Sequence, residues 1–157
     1  MEKFATFKVK DSLIVVDPCY KQEDCFDEIK FKAREGTWTA CIESGISIVV
    51  YHSALAFRSG NYEEIGGSGV DSGQLGIWDF DFWLANNDCN DYNEVGKWYR
   101  NICDLTLQEG GGKYGEGVVC DTGGDGCFPV EVIFDGDEVI AVRVTFMPDE
   151  FDDEGDY

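Results

Sequence analysis

Residues 128–146 read FPVEVIFDGDEVIAVRVTF. In the first arm Phe128, Val130, Val132 and Phe134 fall at every second position, and in the second Ile140, Val142, Val144 and Phe146 do the same. Successive side chains of a strand point to opposite faces, so each arm presents one apolar face. Between the arms, Asp135-Gly136-Asp137 is turn chemistry, because glycine takes the positive φ that tight hairpin turns demand. The stretch predicts an antiparallel hairpin in a sheet packed on one side.

Upstream segments extend this reading. Residues 4–9 alternate, a turn follows at Lys10-Asp11-Ser12, and residues 13–16 form a compact apolar run ended by Asp17-Pro18. That pattern predicts two short strands. Residues 36–43 and 46–51 flank Ser44-Gly45 as a second hairpin, with strand continuing over 54–58. Residues 19–30 are polar and read as a loop or one helical turn. Gly60, Gly66, Gly67, Gly69, Gly73 and Gly76 predict tight bends or a close approach to a neighbour. Residues 80–85 read as a short helix or a strand. Residues 93–107 are the best helix candidate, with Val95, Trp98, Tyr99, Ile102 and Leu105 at spacings of three and four, Asn93 as cap and Gly110-Gly111-Gly112 as stop. The predicted class is mainly β (α+β): antiparallel sheets forming a compact sandwich or partly open barrel with one short helix. Trp38, Trp78, Phe80, Phe82 and Trp83 are read as its aromatic core rather than as a binding groove. Residues 1–147 read as one β-rich domain and 148–157, with six acids and no base, as an acidic tail.

Charge bounds the function. The 157 residues carry 32 acids against 12 Lys and Arg, a net charge of −20. Residues 1–34 are neutral, so the whole excess lies downstream, and no base falls between Arg58 and Lys97. Such a field repels nucleic acid and anionic membrane and attracts basic protein surfaces or divalent cations. The interaction candidates are therefore Glu63, Glu64, Asp79, Asp81, Asp88, Asp91, Glu94, Asp149, Glu150, Asp152 and Asp153. An apolar fraction of 43% argues for a folded core despite the charge. No basic leader precedes an apolar run, and no apolar stretch nears the roughly 20 residues of a spanning helix. Seven cysteines, an odd number without a C-x-x-C pair, read as reduced thiols, and the expected location is cytoplasmic.

Several motifs carry chemistry in principle. Val70-Asp71-Ser72-Gly73 and Cys120-Asp121-Thr122-Gly123 resemble the paired loops of aspartic proteases, where two close carboxylates share a proton. Only about 50 residues separate them, whereas a bilobal protease sets one in each of two larger lobes. The plainer reading is a turn in which Asp accepts backbone N–H groups. Asp121 to Gly126 also offers oxygens to calcium, with Asp135 and Asp137 on the next turn. Asp17, Asp71, Asp121 and Asp125 are the metal candidates, and a divalent cation, calcium or magnesium, is the one cofactor considered. Cys19 and His52 each follow a strand and would make a nucleophile–base dyad if adjacent. Gly66-Gly67-Ser68-Gly69 lacks the Lys-Ser/Thr of a phosphate-binding loop.

Asp17-Pro18-Cys19-Tyr20, Val70-Asp71-Ser72-Gly73-Gln74-Leu75-Gly76 and Gly124-Asp125-Gly126-Cys127-Phe128-Pro129-Val130 together resemble the motifs of a group of small bacterial and phage-associated proteins of unknown function. The resemblance implies a β-rich domain whose motif residues meet at one end, and brings no activity with it. The leading expectation is a noncatalytic acidic interaction protein, an inhibitor or nucleic-acid mimic in its special form, covering a basic site on a partner protein. The alternative is a small metal-dependent hydrolase or calcium-binding protein built on the Asp-rich turns.

Overall fold

The computed structural model describes residues 2–19, 29–43, 46–54, 61–70, 72–87 and 96–146. Within them, β1 (Glu2–Val9), β4 (Gly36–Glu43), β5 (Ser47–His52), β6 (Glu63–Val70), β10 (Gly126–Asp135) and β11 (Glu138–Thr145) form one sheet in the order β1-β4-β5-β11-β10-β6. A second sheet joins β2 (Ser12–Val16), β3 (Ile29–Lys32), β7 (Gln74–Asp79), β8 (Gly111–Lys113) and β9 (Gly117–Asp121) in the order β3-β2-β7-β9-β8. Every pairing of these strands is antiparallel. Two helices, α1 (Phe80–Asn86) and α2 (Lys97–Glu109), follow β7. The chain is a mostly β sandwich, not a closed barrel, as expected, and of the two readings left open for residues 80–85 the helix is the one that forms, as α1.

The alternation of β2 explains the layering. Leu13 and Val15 face the first sheet with Phe7, Trp38, Val50, Val130 and Val142, while Ile14 and Val16 face the helices with Trp78, Trp83, Trp98 and Ile102. A strand buried on both faces has no polar side, which is why residues 13–16 read as an unbroken apolar run. The helices thus form a third layer on the outer face of the five-stranded sheet. The Trp78 and Trp98 ring centroids lie 4.9 Å apart, and Trp98 Nε1 donates to the Pro18 carbonyl at 2.8 Å. On α2, Trp98 and Ile102 are buried, and Gly110 closes the helix in the left-handed conformation with φ 78°. Its N-cap position holds Gly96; Asn93 and Val95 lie outside the described residues.

The hairpin of residues 128–146 forms, with a change of phase. Val130 pairs with Val144 and Val132 with Val142, but Phe134 then pairs with Val139 rather than Ile140. This bulge turns Val139 into the core and leaves Phe134 42% exposed and Ile140 half-buried. The sheet's outer face is also not uniformly polar, since Cys41, Val49, Tyr51 and Ala141 form a small buried cluster with Tyr62 packed against it.

The glycine-rich middle contains two strands. β6 pairs with β10 from Glu63↔Val132 to Val70↔Gly126. A Cβ on Gly67 would meet Cys127 Sγ at 2.6 Å, so the glycines there serve close approach rather than bends. At Gly76 a Cβ would overlap the Trp78 indole, which lies across it. The hairpin of β4 and β5 forms with Glu43 opposite Ser47, while Ser53 and Ala54 sit in a turn; residues 55–58 of the expected continuation lie outside the described residues.

Candidate functional site

The candidate residues that the structure describes include groups at both ends of the sandwich, and each end is built differently. At the first, the motif turns converge. Asp17, 3% exposed at the end of β2, accepts hydrogen bonds from the Ser72 hydroxyl (2.7 Å), the Ser72 N–H (2.9 Å) and the Cys19 N–H (3.0 Å). Thr122 N–H donates to the Gly73 carbonyl at 2.9 Å, which ties the second Asp-Thr-Gly turn to the first. Gln74 lies opposite Asp121 in the β7–β9 register, and Gly126 opposite Val70 in β6–β10. Three motifs that are far apart in sequence therefore meet at one end of the fold.

Their acids behave as turn formers. Both oxygens of Asp17 are engaged, and Asp121 Oδ1 accepts the Gly123 N–H at 2.8 Å while Thr122 Oγ1 donates to the Gly124 carbonyl at 2.7 Å. Asp125 is exposed, and Asp71 lies outside the described residues. Among the described residues no three His, Cys, Asp or Glu stand close enough to hold a metal ion. The calcium arrangement that adds Asp135 and Asp137 to residues 121–126 is overturned by β10 itself. Gly126 and Asp135 are its two ends, about 30 Å apart at strand rise. Asp137 pairs instead with Lys32 at 3.1 Å, and Asp135 and Glu138 pair with Arg34 at 2.6 and 3.1 Å. The ion pair holds the Asp137 carboxyl below the usual carboxylate range, its hydrogen bond from Lys32 being the main cause.

Beside the turns, a cavity of about 230 Å³ opens between the β7–β9 pair and the last turns of α2. Gln74 and Asp121 point to the α2 side of the sheet, as do Trp78 and Val119 further along the same strands. Cys103, Thr106 and Leu107 line the helix side. None of these except Asp121 was singled out from sequence as a site residue. The one available signal was the position of Gln74 inside the Asp-Ser-Gly-Gln motif.

The opposite end holds a wider groove of about 680 Å³, lined by Glu35, Asp79, Asp81 and Glu116 together with Lys8 and Lys10. Asp79 is 5% exposed and accepts the Lys10 N–H at 2.8 Å and the Phe82 N–H at 3.1 Å, capping α1. Burial pushes its carboxyl above the usual range, against the pull of those two bonds. A carboxylate so committed is an architectural group, not a free contact for a partner. Glu116 Oε1 accepts the Lys8 N–H at 2.7 Å. Asp81 is exposed on α1. Glu63 and Glu64 are exposed on β6, at the edge of the six-stranded sheet remote from β1. Glu63 and Glu64 thus stand on an edge strand of one sheet and Asp81 on a helix packed against the other, so the described acids are spread over separate elements. Asp88, Asp91, Glu94, Asp149, Glu150, Asp152 and Asp153 lie outside the described residues.

No nucleophile–base pair forms from Cys19 and His52. Cys19 sits at the turn end, whereas the His52 ring shares a 2.8 Å hydrogen bond between Nε2 and the Glu35 carbonyl oxygen at the groove end. Cys120 is buried, which pushes its thiol up to about 12 and removes it as a nucleophile near neutral pH. No helix is long and apolar enough to cross a membrane among the described residues. Comparison with protein-family models, curated proteins and solved structures finds no match for this chain.

Proposed function

We propose that the protein is a noncatalytic acidic interaction protein that covers a basic site on a partner protein. The observation that supports this is the charge left after internal pairing. Lys32, Arg34 and Arg143 are spent on Asp137, Asp135, Glu138 and Glu131, and Lys30 lies over the Phe80 ring at 3.9 Å. Glu63, Glu64 and Asp81 remain exposed and make no ion pair among the described residues, and although Lys3, Lys8, Lys10 and Lys113 are exposed and without an ion pair there too, the chain's 32 acids outnumber its 12 Lys and Arg. A surface so biased steers a basic partner to itself and repels nucleic acid and anionic lipid. An inhibitor or nucleic-acid mimic is the special form in which the covered site binds nucleic acid. The metal-dependent alternative needs converging carboxylates with free oxygens, and no described set of acids provides them.

The test is retention of a basic cytoplasmic protein on the immobilised chain, followed by its association rate as salt rises. Raising salt from about 0.1 M to 1 M shortens the screening length from about 10 Å to about 3 Å. The expected result is a stoichiometric partner whose association slows steeply over that range and slows again in the Glu63→Gln, Glu64→Gln, Asp81→Asn variant. A partner held equally at both salts, or none enriched at the lower one, removes the proposal.

A further inference from the structure

We infer that the outer edge of β6 pairs with an extended, base-bearing segment of the partner protein, which adds a strand to the six-stranded sheet; that the segment comes from a partner rests on the reading above. β6 ends its sheet, and among the described residues no strand lies on its other side. Residues 63–70 make no backbone hydrogen bond among the described residues outside their ladder with β10. Pro129 stands opposite Gly67. Proline has no N–H, so that pair is a non-hydrogen-bonded position of the ladder, and the Gly67 N–H and carbonyl point away from β10. Gly67 is only half-buried and carries no side chain to hold a second backbone off.

The two sheets end in four edge strands, and these are guarded differently. β1 carries Lys3 and Lys8, β3 carries Lys30 and Lys32, and the short β8 carries Lys113. Lysine on an edge strand opposes the docking of another strand. β6 has no base, and its charges are Glu63 and Glu64, both exposed. Successive residues of a strand point to opposite faces, so these two carboxylates flank the edge on both sides of the sheet. Across β11, β10 and β6 the paired residues Arg143, Glu131 and Glu64 make one row. Arg143 holds Glu131 at 3.0 Å, so Glu64 ends the row beside a like charge, and a base on an added strand is its complement. A second copy of this chain is the poorer occupant, because each copy brings a net charge of −20. The backbone edge supplies the affinity and the flanking carboxylates select a basic strand.

The experiment is an amide NMR titration of the full chain at about 0.15 M salt, with hydrogen exchange read at the end point. The probe is a capped peptide of alternating threonine and lysine, as long as β6. One control peptide has the same side chains but a methyl group on every peptide nitrogen, and another has glutamate in place of lysine. The probe is expected to give saturable shifts over residues 63–67. With free peptide at about ten times its dissociation constant, exchange at the Gly67 amide should slow about tenfold. Both control peptides should lose these effects. Glu63→Gln combined with Glu64→Gln should weaken the probe by roughly three- to tenfold, the worth of two exposed ion pairs. Unchanged exchange at Gly67, or equal binding of either control peptide, would overturn the inference. The two proposals fail separately. If saturating probe leaves the retained partner in place, β6 is not its contact; if the probe pairs at Gly67 but no partner is retained, the partner reading falls alone.

Discussion

Removing the Asp17 carboxylate should destabilise the protein severely in the absence of any metal. The side chain is 3% exposed and accepts hydrogen bonds from the Ser72 hydroxyl and from the backbone N–H groups of Ser72 and Cys19. Asp17→Ala leaves both backbone donors without this acceptor beneath the turns. Each buried donor left unsatisfied costs about 1–3 kcal/mol. Partial relaxation and water entry make the pair less than additive, so roughly 3–5 kcal/mol is expected. Against a total stability of about 5–15 kcal/mol, that is a large share. At about 2–4 °C per kcal/mol for a chain of this size, the melting temperature should fall by about 10 °C. Ser72→Ala deletes only the hydroxyl donor and should cost about 1–2 kcal/mol. The assay is urea denaturation of wild type, both single variants and the double variant, with and without EDTA. The double variant should be destabilised by less than the sum of the singles, because they share a bond. A loss below about 1 kcal/mol in Asp17→Ala, or wild-type stability that drops with EDTA, would refute the view that Asp17 ties the turns together as a structural acceptor.

Two further outcomes follow from the packing and from burial. Gly76→Ala pushes a methyl into the Trp78 indole and should cost about 1–3 kcal/mol by overpacking, whereas Gly124→Ala meets nothing within 4 Å and should stay within about 0.5 kcal/mol of wild type; equal effects at the two positions in the same denaturation assay would contradict the close sheet–indole contact. For Asp79 the folded carboxyl is raised by burial, so the folded state holds more proton than the unfolded state just above the ordinary carboxylate range, and stability falls as pH rises through that window. The stability of wild type minus that of Asp79→Asn should therefore decline with rising pH in urea titrations between about pH 3.5 and 6; a difference that grows with pH would mean the Lys10 and Phe82 N–H bonds outweigh burial.

The elements legible in the sequence are those whose neighbours repeat with a period. The arms around Asp135-Gly136-Asp137 show period two, and Trp98, Ile102 and Leu105 show the helical spacing, because each buries one face on an apolar layer; the β4–β5 pair, buried on both faces along much of its length, was marked in the sequence only by Ser44-Gly45 between its arms. The bulge that exposes Phe134 and buries Val139 was not legible, since it depends on where Ala33 and Arg34 dock: Ala33 bridges to Val139 and Arg34 N–H donates to its carbonyl at 3.1 Å. β6 was hidden for a different reason. Its glycines carry no side-chain periodicity, and only the approach of Cys127 and the Ile29 side chain requires them. Of the candidate site residues, Asp17 and Asp121 were visible as turn acids, but Gln74, Cys103 and Leu107 acquire a common cavity only when α2 lies against β7 and β9.

Local alternation and composition alone determined that this chain is mostly strand, strongly acidic and built around aromatic residues. Those properties follow from side-chain chemistry counted residue by residue, and no fold alters them. Tertiary structure alone decided that β1 and β2, joined at Lys10-Asp11, enter different sheets, because Asp79 takes the Lys10 N–H and the Asp11 carbonyl takes the Ala33 N–H at 3.0 Å. It likewise brought Asp17 to Ser72 across 55 positions of sequence and separated Asp125 from Asp135 along β10. Hydrogen-bond partners at such separations are selected by the packing of whole sheets, and a one-dimensional pattern carries no record of that selection.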